Sequence, residues 1–268
     1  MKGLKAFLLY LLICVTIIFP LAGCTSYQSV SFKSVPIAES QTLIKGTLYK
    51  PEDGSGSFPA VIVLHGCGGV DYHHRKWADQ LVEWGYVALI VDSFSPRGVD
   101  KVCGNPYRVS PIERALDAYG AADYLKQQPY IDHDNIGLLG FSHGGFTGMR
   151  AIQKNFVYAA KMEKMPFKVA VLFYPWCDSL QDQVHIPTLI MIGSKDDWTP
   201  AARCVEMKKN LSNPDLLELI VFDGAYYGFD RPIKNINYLG HQLVHDPDAT
   251  KIAKDKTKKF FDEHLLRK

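Results

Sequence analysis

The chain lacks an excess of either charge. Thirty Lys and Arg stand against 28 Asp and Glu, leaving a net charge of +2. That balance removes the electrostatic case for a nucleic-acid partner. It lacks C-x-x-C spacing, so its six cysteines show no zinc-site pattern. It has no internal repeat, and past residue 41 no low-complexity linker that would divide domains. It also lacks an apolar run of the roughly 20 residues that a membrane span needs; the longest, Ala6–Phe19, falls short. What is present is 268 residues, 47% hydrophobic and 22% charged, enough for one globular domain.

The first residues read as an export signal. Lys2 and Lys5 form a positive start, Ala6–Phe19 an apolar stretch, and Leu21-Ala22-Gly23-Cys24 a run of small residues ending in cysteine. Those four residues resemble the bacterial lipobox, whose cysteine is lipidated and becomes the mature N-terminus; the alternative is an uncleaved membrane anchor. The expected organisation is a signal peptide over 1–23, a tether over 24–41 and a folded domain over 42–268. The chain would then be exported to the bacterial periplasm or cell envelope and held at the membrane by lipid on Cys24. With Cys14 and Cys24 set aside, Cys67, Cys103, Cys177 and Cys204 remain. An even number in an oxidising compartment points to disulfides. Three pairings are open, with 67–103 and 177–204 slightly preferred.

After the tether, short apolar strands alternate with helices. Thr42–Tyr49 reads as an edge strand. Pro59–Leu64, Val87–Val91, Ile136–Gly140, Val169–Tyr174, Thr188–Ile192 and Leu217–Phe222 read as buried ones. Helices are expected around Trp77, Leu81 and Trp84, from the capping box Ser110-Pro111-Ile112-Glu113, after Ser142, up to Met207, and over Thr250–Leu266. Ile112, Leu116, Tyr119, Ala122 and Leu125 mark one inward face, and Ile252, Phe260, Phe261 and Leu265 another. The Lys-rich outer face of the last helix reads as solvated surface. This order predicts an α/β protein with a doubly wound, mostly parallel sheet and helices on both faces. Ligands in such sheets bind beyond the carboxyl ends of the strands. Ser142, the loops 65–69 and 92–97, Asp196 and the region of Tyr227 all fall there.

Gly140-Phe141-Ser142-His143-Gly144 has the G-x-S-x-G spacing of a nucleophile elbow. The sharp strand-to-helix turn needs small residues two before and two after the serine. It lifts the hydroxyl above the sheet and leaves the next N–H, that of His143, free to hold an oxyanion.

The motifs HGCGG at 65–69, DSFSPRG at 92–98, GFSHGG at 140–145, GSKDDWTP at 193–200 and GAYYGF at 224–229 together resemble the dienelactone hydrolase family of α/β-hydrolases. The resemblance implies hydrolysis of a small-molecule ester or lactone with no metal and no organic cofactor. Ser142 would attack and Asp196 would orient a base, while Asp197 would point elsewhere. The N–H groups of Cys67 and His143 would form the oxyanion hole. Asp196 has a second reading, as a helix cap, and His65 and Cys67 read as structural. Arg97 falls in the loop from which the family offers an arginine to a substrate carboxylate, or else it bonds to backbone carbonyls and holds the loop. Trp176, Trp198, Phe141 and Tyr226 are candidates for an aromatic pocket. The chain departs from the pattern at Tyr227, which stands where the family has its catalytic histidine. A phenol with a pKa near 10 is a neutral donor at pH 7 and no acceptor for the serine proton. Three readings follow. The protein is a silent relative that binds a ligand or partner in the same crevice; His241 or His245 substitutes as base; or one residue has changed, in an isolated or engineered variant, in an otherwise intact site.

Overall fold

The computed structural model describes residues 26–36, 41–52, 56–153, 164–178 and 183–266. Eight strands form one sheet in the spatial order β1-β2-β4-β3-β5-β6-β7-β8. They are β1 (Ser26–Lys33), β2 (Leu43–Lys50), β3 (Phe58–Leu64), β4 (Val87–Asp92), β5 (Ile131–Phe141), β6 (Val169–Phe173), β7 (Thr188–Gly193) and β8 (Leu217–Phe222). The pairs β1–β2 and β2–β4 are antiparallel, and the strands from β4 to β8 run parallel. β3, β6 and β7 are almost entirely buried, as their unbroken apolar runs require when helices cover both faces.

The helices are α1 (Tyr72–Glu83), α2 (Pro111–Lys126), α3 (His143–Ala151), α4 (Ala201–Asn210) and α5 (Pro247–Phe261), the last continuing in a turn over Asp262–Leu266. Among the described residues none is long and apolar enough to cross a membrane. The expected capping box starts α2: the Glu113 N–H donates to Ser110 Oγ, and the Ser110 N–H donates to Glu113 Oε2. Gly85 follows α1 with φ of +90°, the left-handed conformation that ends helices.

Three expectations are corrected. The tether expected over 24–41 contains β1, which makes β2 an inner strand and β1 the edge. Only Phe32 and Val30 of β1 turn inward, too few to show through the serines around them. Ile112 and Ile252, expected to face the core, are exposed at 51% and 47%. Helix α2 instead buries Arg114 and Asp117, two charged residues that periodicity assigns to solvent. Finally, the region expected as a loop over 223–246 holds a two-stranded hairpin, β9 (Ile236–Tyr238) with β10 (His241–Leu243). The expected signal peptide and the expected lipidation site Cys24 lie outside the described residues.

Candidate active site

The elbow follows β5 directly. Ser142 has φ of 54° and ψ of −115°, a backbone state that costs about 1–3 kcal/mol and persists only when its surroundings enforce it. Those surroundings require glycine. A Cβ on Gly144 would lie 2.0 Å from the Leu64 carbonyl oxygen, and one on Gly140 would lie 2.5 Å from that of Gly144. The Ser142 N–H donates to the Phe173 carbonyl at 2.9 Å, tying the turn to β6.

Three of the expected residues meet at Ser142. The Tyr227 phenol donates to Ser142 Oγ at 2.5 Å. His143 opens α3, where the first N–H has no partner within the helix. Cys67 shares a cavity wall with Ser142 and His143, and among the described residues its N–H has no backbone acceptor. This cavity, of about 260 Å³, is also lined by Val102, Tyr107, Phe146, Trp176 and Trp198. Phe141 is instead packed in the core against Trp77 and Phe173, and Tyr226 lies under the Lys195 ammonium.

Burial sets the electrostatics. Tyr227 is 6% exposed, and loss of water pushes its phenol further up from a value already near 10. Asp196 is buried with it, and loss of water raises its carboxyl to about 6 against the pull of its hydrogen bonds. Those bonds come from the N–H groups of Trp198 and Thr199 to Oδ1, and from Thr199 Oγ1 to Oδ2 at 2.8 Å. These bonds close a turn ahead of α4 and are not the expected helix cap: α4 starts at Ala201 with Pro200 before it and no side-chain cap. No imidazole reaches the carboxylate among the described residues. Asp197 turns away and meets His241 Nδ1 at 3.4 Å.

His241 stacks on Trp198 at 4.6 Å, and Trp198 also packs against Tyr227 at 4.9 Å. The contacts of His241 are thus with Trp198 and Asp197 and not with Ser142. His245 lies beside Asp246, the cap of α5. The structure brings neither histidine to the serine.

Arg97 is placed differently from the substrate-binding expectation. Its guanidinium grips the buried Asp117 at 2.8 and 2.9 Å and donates to the Ser93 carbonyl at 2.7 Å. This bidentate pair explains why Asp117 can sit inside α2. It also removes the 92–97 loop from the set of groups that reach the site.

Sequence reasoning missed Arg114. Fully buried, it donates to His143 Nδ1 at 2.5 Å and to the His65 carbonyl at 2.7 Å. A guanidinium can only donate, so His143 carries its proton on Nε2 and donates it to the Pro106 carbonyl at 2.7 Å. Loss of water holds His143 down to about 3, with the Arg114 charge adding to it, so the ring is neutral. The residue after the serine thereby anchors the loop that roofs the cavity. A second anchor is the Cys67–Cys103 disulfide, and Cys177–Cys204 is the other. Behind the site, Asp230 accepts from Trp77 Nε1 and the Tyr174 hydroxyl and pairs with His73 Nε2. No spacing rule connects these residues.

One group among the described residues has metal-like proximity, Asp71 with His73 and His74. Its atoms are already engaged: His74 pairs with Asp71, His73 with Asp230, and the Arg231 guanidinium sits on Asp71 where it would repel a cation.

Comparison with known proteins identifies the family. A protein of a Bradyrhizobium species named "Probable 2-oxo-3-(5-oxofuran-2-ylidene)propanoate lactonase" is 27% identical over 65% of this chain and 75% of its own length. An uncharacterised protein of Mycobacterium tuberculosis is 31% identical over 69% of this chain and 70% of its own. The crystal structure of a dienelactone hydrolase from Anabaena variabilis superposes with a TM-score of 0.64 at 20% identity, covering 90% of this chain and 99% of that one. The family model for dienelactone hydrolases matches residues 44–265, almost the whole described domain, and the chain belongs to the dienelactone hydrolase family.

Proposed function

We propose that this protein is an exported, lipid-anchored hydrolase scaffold for small esters or lactones, in which Tyr227 holds Ser142 in a nearly silent state. The observation that carries this reading is the 2.5 Å contact between the phenol and Ser142 Oγ. Serine becomes a competent nucleophile when a base removes its proton and later delivers it to the leaving group. The neutral phenol hydrogen-bonds the nucleophile, and a phenol oxygen is far too weak a base to take the serine proton. A phenolate could serve, but burial and the nearby Asp196 carboxylate both oppose its formation.

The remaining roles follow from the residues gathered around Ser142. The ester carbonyl would enter beside Ser142, with its oxygen toward the N–H groups of His143 and Cys67. Asp196 would orient an imidazole at position 227. Without that imidazole, oxyanion stabilisation and binding leave a residual acceleration of roughly 10³ over water. The Bradyrhizobium relative's name supports a lactone as one substrate form. Export and lipidation are supported by the residues ending at Cys24 and by two disulfides, which persist in oxidising compartments.

The test is Tyr227→His, assayed on phenyl acetate and with a serine-reactive phosphonate. A gain of about 10²–10⁴ in hydrolysis, with labelling at Ser142 that the unmodified protein shows only weakly, is expected. Equal labelling of both forms would mean that another base serves. No gain would mean that residue 227 is not the base position.

A further inference from the structure

Three arginines touch the lining of the cavity beside Ser142 and a fourth, Arg97, lies outside it; none of the four is part of the lining. Arg97 is held by Asp117. Arg114 is held by His143 and the His65 carbonyl. Arg150 lies over the Phe146 ring and pairs with Asp178. Arg203 lies 4.1 Å from the centre of the Trp176 ring and donates to the Cys177 carbonyl at 3.0 Å. The exposed Arg108 is not part of the lining. Among the described residues the walls are aromatic rings, valine, proline, a disulfide and hydroxyls, and the one side chain able to carry a positive charge, His143, is neutral.

A carboxylate entering such a space loses its water and gains no cation, whereas a neutral ring loses nothing and covers apolar surface. Size agrees: about 150 Å³ accommodates a benzene, so about 260 Å³ admits one ring with a short ester. We infer that this site takes uncharged, single-ring esters or lactones and rejects ligands bearing a carboxylate, because each arginine touching its walls serves the scaffold. The inference rests on the functional reading above only for the word ester; the preference for neutral ligands belongs to the walls.

Saturation-transfer NMR on the unmodified protein separates the two. Methyl benzoate and benzoate have the same ring and differ in charge. Methyl benzoate is expected to bind, and benzoate to bind about 100-fold more weakly. Comparable binding of benzoate, or no binding of methyl benzoate, overturns the inference. Tyr107, which is 67% exposed on the cavity wall, gives the converse variant. Tyr107→Arg should improve benzoate binding about tenfold and leave methyl benzoate nearly unchanged; an unaltered benzoate affinity would mean that the signals come from elsewhere. Kinetics add a second readout. In Tyr227→His, kcat/KM for phenyl acetate should exceed that for 4-acetoxybenzoate about 100-fold. If that variant hydrolyses neither ester, the hydrolase reading fails, while the NMR comparison still decides the ligand class.

Discussion

Asp196→Asn should stabilise this protein, and only above a certain pH. An ordinary aspartate titrates near 3.8, and burial raises this one to about 6. Between those values the unfolded chain has released the proton that the folded chain still holds. The contribution of the group is whole below pH 3.8, declines as the pH rises through about 6, and is flat above. At about 1.4 kcal/mol per tenfold change in proton affinity, the folded carboxylate is disfavoured by about 3 kcal/mol at pH 8. Asparagine avoids that loss and keeps every bond. Its Oδ1 accepts from the N–H groups of Trp198 and Thr199, and its Nδ2 donates to Thr199 Oγ1. Urea unfolding of both forms at pH 3.5 and pH 8, disulfides intact, isolates the effect because all other titrations cancel in the difference. The expected gain is about 3 kcal/mol at pH 8 and near zero at pH 3.5. A variant less stable at pH 8, or a difference that ignores pH, would refute the reasoning and show that the hydrogen bonds hold the carboxylate without penalty. In the Tyr227→His background the same substitution should abolish the activity gained. A carboxylate kept where an amide fits better is explained by chemistry and not by folding.

Two further outcomes test the scaffold. Gly144→Ala places a methyl 2.0 Å from the Leu64 carbonyl oxygen and should cost more than about 3 kcal/mol by thermal unfolding. Gly66→Ala, whose nearest contacts are 3.6 Å, should fold normally. Replacing both Cys67 and Cys103 by serine opens a loop of 36 residues' separation and should cost about 3–4 kcal/mol in urea, with weaker methyl benzoate binding because the cavity roof loses its tether.

The parts of the molecule legible in the sequence were those fixed by local constraint. Gly140 and Gly144 flag the elbow because only glycine lets the chain cross itself there, and the unbroken apolar runs of β3, β6 and β7 record burial on both faces. The Tyr227–Ser142 approach was legible as a position within a family pattern. What stayed hidden depends on partners distant in the chain. Asp117 and Arg114 look like the solvent side of α2 until Arg97 and His143 are seen against them. Arg97 could be read as a ligand-binding residue because its acid lies 20 residues away. β1 was lost because an edge strand needs few apolar side chains in the core, here Phe32 and Val30.

The contact of Trp198 with both Tyr227 and His241 has an evolutionary consequence. His241 is fixed in the hairpin by its stack on the indole and its contact with Asp197, so recruiting that imidazole would mean rebuilding the hairpin. Tyrosine and histidine codons, by contrast, differ in their first base alone. The short mutational path back to an imidazole therefore runs through position 227 itself, and a population under selection for ester turnover should find that single-nucleotide change before any other.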